Sequence, residues 1–287
     1  MRRLLWLLTA VVIVLVGFGV YTVVVEHDGR LPIEVPVGKA CRAQTETGTV
    51  HLYPEQLVNA ATIAAVGLGK GVPDRGIVVA LATSMQESEL INLDYGDRDS
   101  LGLFQQRPSQ GWGTIDQIRD PRYASAAFFR QLLLTPGWQE MRVTEAAQAV
   151  QRSAYPEAYD KYADDAQVLG DALVGATSAA ITCEKVSEPT LRGAAATEVL
   201  ARDLQTEWGR AATMDAGTGT VSLAIAAEHD RAGWQLAHWL VAHSVGQNVA
   251  RVRFGKHEWR LDSGEWIVTE AATGDGAAVV IADVYPS

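Results

Sequence analysis

The sequence has little cysteine and little positive charge. Its 287 residues include 2 Cys, and 24 Lys and Arg stand against 34 Asp and Glu, for a formal net charge of −10. Two cysteines are too few for a small domain built on a disulfide framework. The acidic balance argues against nucleic acid as a partner, because binding to phosphates needs a basic surface. With 48% hydrophobic and 20% charged residues, the chain has the composition of a globular protein with one or two cores.

Long apolar runs are also scarce, and only residues 4–25 form one. Basic residues precede this run and acidic residues follow it, which predicts a transmembrane helix with its N-terminus in the cytoplasm. The alternative is a cleaved signal peptide, but β-branched residues end the run where a cleavage site needs small ones. We therefore expect residues 1–25 to be a cytoplasmic stub and an uncleaved single-pass membrane anchor. The bulk of the chain would be extracytoplasmic, and a multi-span channel is excluded.

That location affects how the two cysteines are interpreted. Cys41 and Cys183 would lie in an oxidising space, where a disulfide between them is expected. The alternative is two unpaired thiols.

Composition and hydrophobic spacing divide the remaining chain into three parts. Residues 26–52 are rich in Gly, Pro, Thr and charge, which predicts an extracytoplasmic linker. Residues 53–186 are predicted to form a mainly helical domain with an irregular segment over 92–114. Residues 190–287 alternate between helix and strand patterns, which predicts a separate α+β accessory domain. The predicted fold class is α+β, with helices in the first domain over residues 54–66, 73–85, 121–134, 144–154 and 156–174.

The segment most informative about chemistry lies at the end of the predicted helix 73–85. Glu87 and Ser88 follow that apolar helix, and Gly102-Leu103-Phe104-Gln105 comes soon after. A carboxylate at the carboxyl end of a buried helix is poorly solvated and lies near the negative end of the helix dipole, so its protonated form is favoured. Such a group can protonate the leaving oxygen of a glycosidic bond. The alternative is that Glu87 is a surface charge.

This combination resembles the goose-type lysozyme and soluble lytic transglycosylase family, in which a Glu-Ser pair at a helix end precedes a Gly-Leu-Met-Gln-type turn. The resemblance covers residues 54–162, and the chain is also similar to single-pass actinobacterial envelope proteins with a lysozyme-like domain. It implies that residues 53–186 are lysozyme-like, with Glu87 as the general acid and base. Ser88 would support the acid, and the cleft wall would consist of Gly102, Leu103, Phe104 and Gln105.

Two aromatic residues are further candidates for contact with substrate. The family's later Ala-Tyr-Asn-Ala-Gly segment, whose Tyr approaches the acid, is represented here by residues 153–156, so Tyr155 is the candidate for that role. Asn and Gly are absent from this segment, which departs from the family pattern. Trp112 lies between two glycines and could present its face to a sugar ring.

Three carboxylates follow Glu87 in the irregular segment, namely Asp94, Asp97 and Asp99. One of them could activate water in an inverting hydrolase, or all three could simply cap turns. A lytic transglycosylase of the family needs no second carboxylate, because the substrate supplies its own nucleophile and yields a 1,6-anhydro product. Their spacing does not fit a calcium loop, and no histidine or cysteine pattern fits a metal site. We therefore predict neither metal nor cofactor.

The sequence thus predicts a membrane-anchored peptidoglycan lytic transglycosylase or muramidase. It would cleave the β-1,4 bond between N-acetylmuramic acid and N-acetylglucosamine, with glycan strands as its partner and no nucleic acid. The alternative is a catalytically inactive protein of the same fold that binds glycan or serves as an envelope scaffold.

Overall fold

A computed structural model describes residues 11–16, 19–24, 38–153, 155, 157–188, 190–217, 220–247, 249–270 and 279–286. They belong to two units, Met1–Gly38 and Lys39–Ser287. Together the described elements make the chain an α+β protein.

The N-terminal unit contains a β-hairpin where the sequence predicts a membrane-spanning helix. Strand β1 (Val11–Val16) pairs antiparallel with β2 (Gly19–Val24). Within the described parts of the chain, no helix is long and apolar enough to cross a membrane. The predicted transmembrane helix is therefore wrong for these residues. The physical reason is that the run is rich in Val, a β-branched residue that is restricted at χ1 and favours strands. The rest of the predicted anchor, and residues 26–37 of the predicted linker, lie outside the described residues.

Helices surround one buried helix in the first part of the larger unit. The central helix is α2, which packs against α1, α4, α5 and α6 and buries both of its faces, including Ile77, Val79 and Leu81. A helix that is apolar on nearly every side is stable only in such a position. The bounds of the helices are α1 (Pro54–Gly69), α2 (Asp74–Ser88), α3 (Ile115–Ile118), α4 (Pro121–Leu134), α5 (Val143–Gln151) and α6 (Ala163–Leu173).

A three-stranded antiparallel sheet lies beside these helices. Its order is β4 (Gly48–Leu52), β3 (Cys41–Thr45) and β5 (Ile181–Cys183). Cys41 is directly opposite Cys183 in the register, and the two form a disulfide, which confirms the predicted pairing. Strands β3 and β4 fall in the segment predicted as a linker. Their alternate side chains are buried in the core, so residues 41–52 are part of the folded unit.

The C-terminal part forms a six-stranded antiparallel sheet with helices. The strand order is β10-β9-β8-β11-β7-β6. The bounds are α7 (Gly193–Trp208), β6 (Thr213–Gly217), β7 (Thr220–Ala226), α8 (Asp230–Ala242), α9 (Ser244–Gln247), β8 (Val249–Phe254), β9 (His257–Arg260), β10 (Glu265–Val268) and β11 (Val279–Val284).

The segments predicted as two domains, 53–186 and 190–287, pack together in the larger unit. Helix α8 lies against α1 and β5. The buried carboxylate of Glu207 accepts hydrogen bonds from Thr62 Oγ1 at 3.1 Å and from Trp239 Nε1 at 2.7 Å. Buried apolar side chains from both segments belong to one continuous core. The C-terminal segment therefore supports the helices that surround α2.

His238 on α8 gives this core a dependence on pH. The ring is fully buried, with Nδ1 2.7 Å from the Ala172 carbonyl oxygen and Nε2 accepting from the Ala180 N–H at 3.0 Å. Burial lowers the pKa of His238 from 6.5 to about 4. The unfolded chain therefore protonates the His238 ring more readily than the folded protein does. The contribution of the neutral ring to stability is complete above pH 6.5 and is lost as the pH falls to about 4.

We expect His238 to account for about 3 kcal/mol of unfolding free energy lost between about pH 7 and pH 4. Denaturant unfolding at a series of pH values measures this loss. The variant His238→Gln has no titrating ring, so its unfolding free energy should depend less steeply on pH over the same interval. An unchanged pH dependence in the variant would contradict the assignment.

Candidate active site

The C-terminal end of α2 holds Glu87 in a fixed position. Immediately after the helix, Glu89 and Leu90 adopt left-handed backbone conformations with φ of 54° and 61°, which turns the chain away from the helix axis. Non-glycine residues adopt this conformation at a cost of about 1 kcal/mol or more. Two side chains of α1 stabilise the turn: Gln56 Nε2 donates to Glu89 O at 2.8 Å, and Asn59 Nδ2 donates to Leu90 O at 2.8 Å.

The surroundings of Glu87 favour the protonated acid. The side chain is half-buried, and Tyr159 Oη donates a hydrogen bond to Glu87 Oε1 at 2.7 Å. Burial raises the pKa of Glu87, and hydrogen bonds from Tyr159 and Gln151 offset part of that increase. Burial and the neighbouring carboxylate also raise the pKa of Tyr159, so its phenol keeps its proton and remains the donor. A carboxyl group in this setting can deliver a proton at a higher pH than an exposed glutamate can.

Two hydrogen bonds attach the turn at residues 101–106 to the C-terminal ends of α2 and α5. Ser88 Oγ donates to the Leu103 carbonyl oxygen at 2.8 Å, and Gln151 Nε2 donates to the Phe104 carbonyl oxygen at 2.7 Å. Leu101 and Gln106 close the turn by exchanging two backbone hydrogen bonds of 3.0 Å. Ser88 therefore positions the turn beside the acid.

Within this turn, the side chains pack into the core or hydrogen-bond to neighbouring backbone. Gly102 has φ of 74°, and a Cβ there would lie 2.7 Å from the Ile118 carbonyl oxygen, so glycine is required. Leu103 and Phe104 are fully buried, with Phe104 stacked on Phe128 at 4.7 Å between ring centroids. The Gln105 amide donates to the Tyr95 carbonyl oxygen at 3.2 Å. The predicted cleft wall is thus a folded turn whose apolar side chains belong to the core.

The tyrosine beside the acid is Tyr159, whereas the sequence pointed to Tyr155. Tyr155 is 76% exposed, and its backbone N–H bonds to Ser153 Oγ at 3.2 Å. Residues 157–162 form a turn and a short 3₁₀ segment before α6, which moves Tyr159 into the core. One signal could have identified it: Ala158-Tyr159-Asp160 is the local match to the family's Ala-Tyr-Asn, with Asp in place of Asn. No sequence pattern indicated that Gln151 would lie beside the acid.

We expect Tyr159→Phe to raise the pKa of Glu87 further. The substitution removes the hydrogen bond that favours the carboxylate form and leaves the apolar ring in place. Carbon-detected NMR titration of the Glu87 side chain measures the shift. Tyr155→Phe is the matched control and should leave the titration unchanged. If both variants titrate like the parent, Tyr159 does not control the acid.

The three candidate second carboxylates differ in their surroundings. Asp99 accepts hydrogen bonds from Arg107 Nε at 2.8 Å and from Ser109 N and Oγ at 2.8 and 3.0 Å, which hold the pKa of Asp99 well below its usual range. It fixes the loop between residues 99 and 109. Asp94 and Asp97 are exposed. In the described part of the chain, no group of three or more His, Cys, Asp or Glu side chains could hold a metal ion.

Trp112 lines a groove together with residues of α4 and α5. The groove has a volume of about 740 Å³ and is lined by Trp112, by residues of α4 and α5, and by Gln151 and Arg152. Gln151, one of the residues that line the groove, also donates to the Phe104 carbonyl oxygen at 2.7 Å. No protein-family model matches the chain, and no curated protein matches it either.

Proposed function

We propose that this protein is a peptidoglycan lytic transglycosylase or muramidase with Glu87 as its single general acid and base. The observation that carries the proposal is the setting of Glu87: a half-buried carboxyl group with a raised pKa, hydrogen-bonded to Tyr159 and Gln151. A group with these properties suits protonation of a glycosidic oxygen.

The reaction assigns two successive tasks to Glu87. The protonated acid gives its proton to the oxygen that joins N-acetylmuramic acid to N-acetylglucosamine, and the bond from that oxygen to the muramic acid C1 breaks. The resulting carboxylate then takes a proton from the nucleophile that attacks C1. Tyr159 stabilises the carboxylate between the two steps, because its hydroxyl donates to Oε1.

The surroundings of Asp99 argue against it as the second carboxylate of a hydrolase. The Asp99 carboxylate already accepts hydrogen bonds from Arg107 and Ser109, and its lowered pKa makes it a weak base for activating water. A transglycosylase needs no second carboxylate, because the 6-hydroxyl of the muramic acid attacks C1 and leaves a 1,6-anhydro end.

The disulfide supports an oxidising, extracytoplasmic compartment for this activity. Disulfides persist outside the cytosol and are rare inside it, and Cys41–Cys183 joins two neighbouring strands of the folded unit.

Mass spectrometry of fragments released from purified peptidoglycan tests the proposal. We expect the full-length protein to release fragments with 1,6-anhydro ends. Fragments with reducing ends would instead identify a hydrolase and return attention to Asp94 and Asp97. If no fragment is released from material that a control lysozyme digests, the catalytic proposal is wrong and the glycan-binding scaffold replaces it.

A further inference from the structure

A small cavity lies where the three-stranded sheet meets the β10 edge of the six-stranded sheet. Its volume is about 250 Å³, and its lining comes from β3, from β5 with the residues just before it, and from β10. None of the described residues that line it belongs to α2, to α5 or to the turn at residues 101–106. The cavity is therefore separate from the surroundings of Glu87.

One wall of the cavity is backbone that buried contacts hold in place. Ala179 has a left-handed conformation with φ of 52°, which is unfavourable for a residue with a Cβ atom. The neighbouring Ala180 is fixed from two sides, since its N–H donates to His238 Nε2 at 3.0 Å and its carbonyl oxygen accepts from the Gln44 N–H at 2.8 Å. Strained backbone that is held this firmly gives a binding site its shape before a ligand arrives.

An aromatic side chain forms another part of the lining. Trp266 is half-buried, and its Nε1–H donates to the Ile181 carbonyl oxygen at 2.8 Å. Its ring meets the ring of Trp234 edge to face, with 5.3 Å between the centroids. The indole is therefore held in one orientation and its N–H already has an acceptor. It offers a ligand apolar ring surface, which packs against C–H groups.

The polar groups of the cavity suit an uncharged ligand. Arg42 Nη2 donates to both carboxylate oxygens of Glu265, at 3.1 and 3.3 Å, so the charges of this pair cancel and favour an ion of neither sign. Both groups are partly exposed and keep further donor and acceptor positions. The side-chain amide of Gln44 is exposed and has no hydrogen-bond partner in the described part of the chain.

We propose that this cavity binds a neutral sugar unit at a site separate from Glu87. A sugar ring has C–H groups for the Trp266 ring and hydroxyls that each donate and accept, so adjacent hydroxyls can bond to the Gln44 amide and to the pair of Arg42 and Glu265. A peptide unit has one donor and one acceptor that point in opposite directions, and it meets fewer of these groups. The volume lies below the usual range for sites of drug-sized ligands, about 300–1,000 Å³, which suits a single ring.

This site goes beyond the proposed function, because it would hold a glycan without any catalytic step. Titration of the full-length protein with N-acetylglucosamine, followed by NMR of the indole N–H signals, tests it. Trp266→Phe keeps an aromatic ring and identifies the signal of Trp266, which should move saturably with sugar. Gln44→Ala should weaken binding about 5-fold, the effect of one neutral hydrogen bond. The matched control Gln205→Ala removes an exposed amide on α7 and should bind like the parent.

Several outcomes would overturn the sugar site. They are a Trp266 signal that does not move, movement confined to another tryptophan such as Trp112, and a Gln44→Ala variant with the affinity of the parent. Inorganic phosphate and N-acetylalanine amide serve as comparison probes. If either of them moves the Trp266 signal at lower concentration than the sugar does, the cavity binds an anion or a peptide and the proposal is wrong.

Binding and fragment release are measured separately, so failure of the site is distinguishable from failure of the function. A protein that releases fragments from peptidoglycan but shows no sugar-dependent movement of the Trp266 signal keeps the proposed function and loses the second site. A protein that binds sugar at Trp266 but releases nothing keeps the second site and loses the catalytic proposal.

Discussion

Replacing Glu87 with Gln is expected to lower the rate of fragment release by about 10³-fold, within the usual range for loss of a general acid. Gln has nearly the shape of Glu, and its side-chain oxygen can still accept the hydrogen bond from Tyr159. It cannot deliver a proton, so the loss should fall on kcat. The rate of release from purified peptidoglycan, followed by mass spectrometry, measures the effect.

Glu89→Gln is the matched control for this substitution. Glu89 is an exposed carboxylate two residues further along the chain, and it should be replaceable without loss of rate. Stability separates the catalytic effect from damage to the fold. Because burial raises the pKa of Glu87, its ionisation weakens the fold as the pH rises above 4.5. Glu87→Gln should therefore melt at the same temperature as the parent or higher. A variant that keeps the parent rate would place the acid elsewhere.

The second large effect is expected from removing the disulfide. The double variant Cys41→Ala and Cys183→Ala should lose up to about 5 kcal/mol of unfolding free energy, because the bond closes a loop with a sequence separation of 142 residues in the unfolded chain. That loss is a large fraction of the stability of a typical domain, about 5–15 kcal/mol. Equilibrium unfolding in urea measures it.

Chemical reduction of the parent provides the comparison for the double variant. Both cysteines are almost fully buried, 1% and 0% exposed, so a reductant reaches them only when the strands separate. Reduction under native conditions should therefore be slow, and the reduced parent should unfold at the urea concentration of the double variant. An unchanged midpoint in both would show that the strands hold the loop closed without the bond.

Local signals in the sequence were sufficient to predict helices α2 and α4 close to their observed bounds. Helix α4 covers the predicted residues 121–134, because Pro121 suits the first turn and the Asp120 side chain caps the Arg122 N–H at 2.9 Å. Helix α2 begins one residue later than predicted and extends three residues further, to Ser88. The raised pKa of Glu87 follows from the apolar character of α2, which is visible in the sequence.

Structural features that depend on contacts between residues distant in the sequence could not be predicted from local signals. The length of an apolar run does not distinguish a spanning helix from two strands, and the hairpin β1–β2 shows that β-branched residues should have carried more weight. Strand β3 is formed by pairing with β4 and with the distant β5, and the local composition of 26–52 resembled a linker. The contact between Tyr159 and Glu87 depends on the turn and short 3₁₀ segment at residues 157–162, where the sequence predicted the first part of a helix over 156–174.

The pairing of Cys41 with Cys183 also determines when folding of the larger unit can finish as the chain is synthesised. Strand β3 emerges from the ribosome early but has no edge partner in β5 until residue 183 has followed. Helix α6 packs against both α2 and β3, and α8 then packs on β5. Helix formation is fast and local, whereas closing so long a loop is slow. We therefore expect newly made chains to acquire a rigid site only after the C-terminal segment has folded and the cysteines have been oxidised.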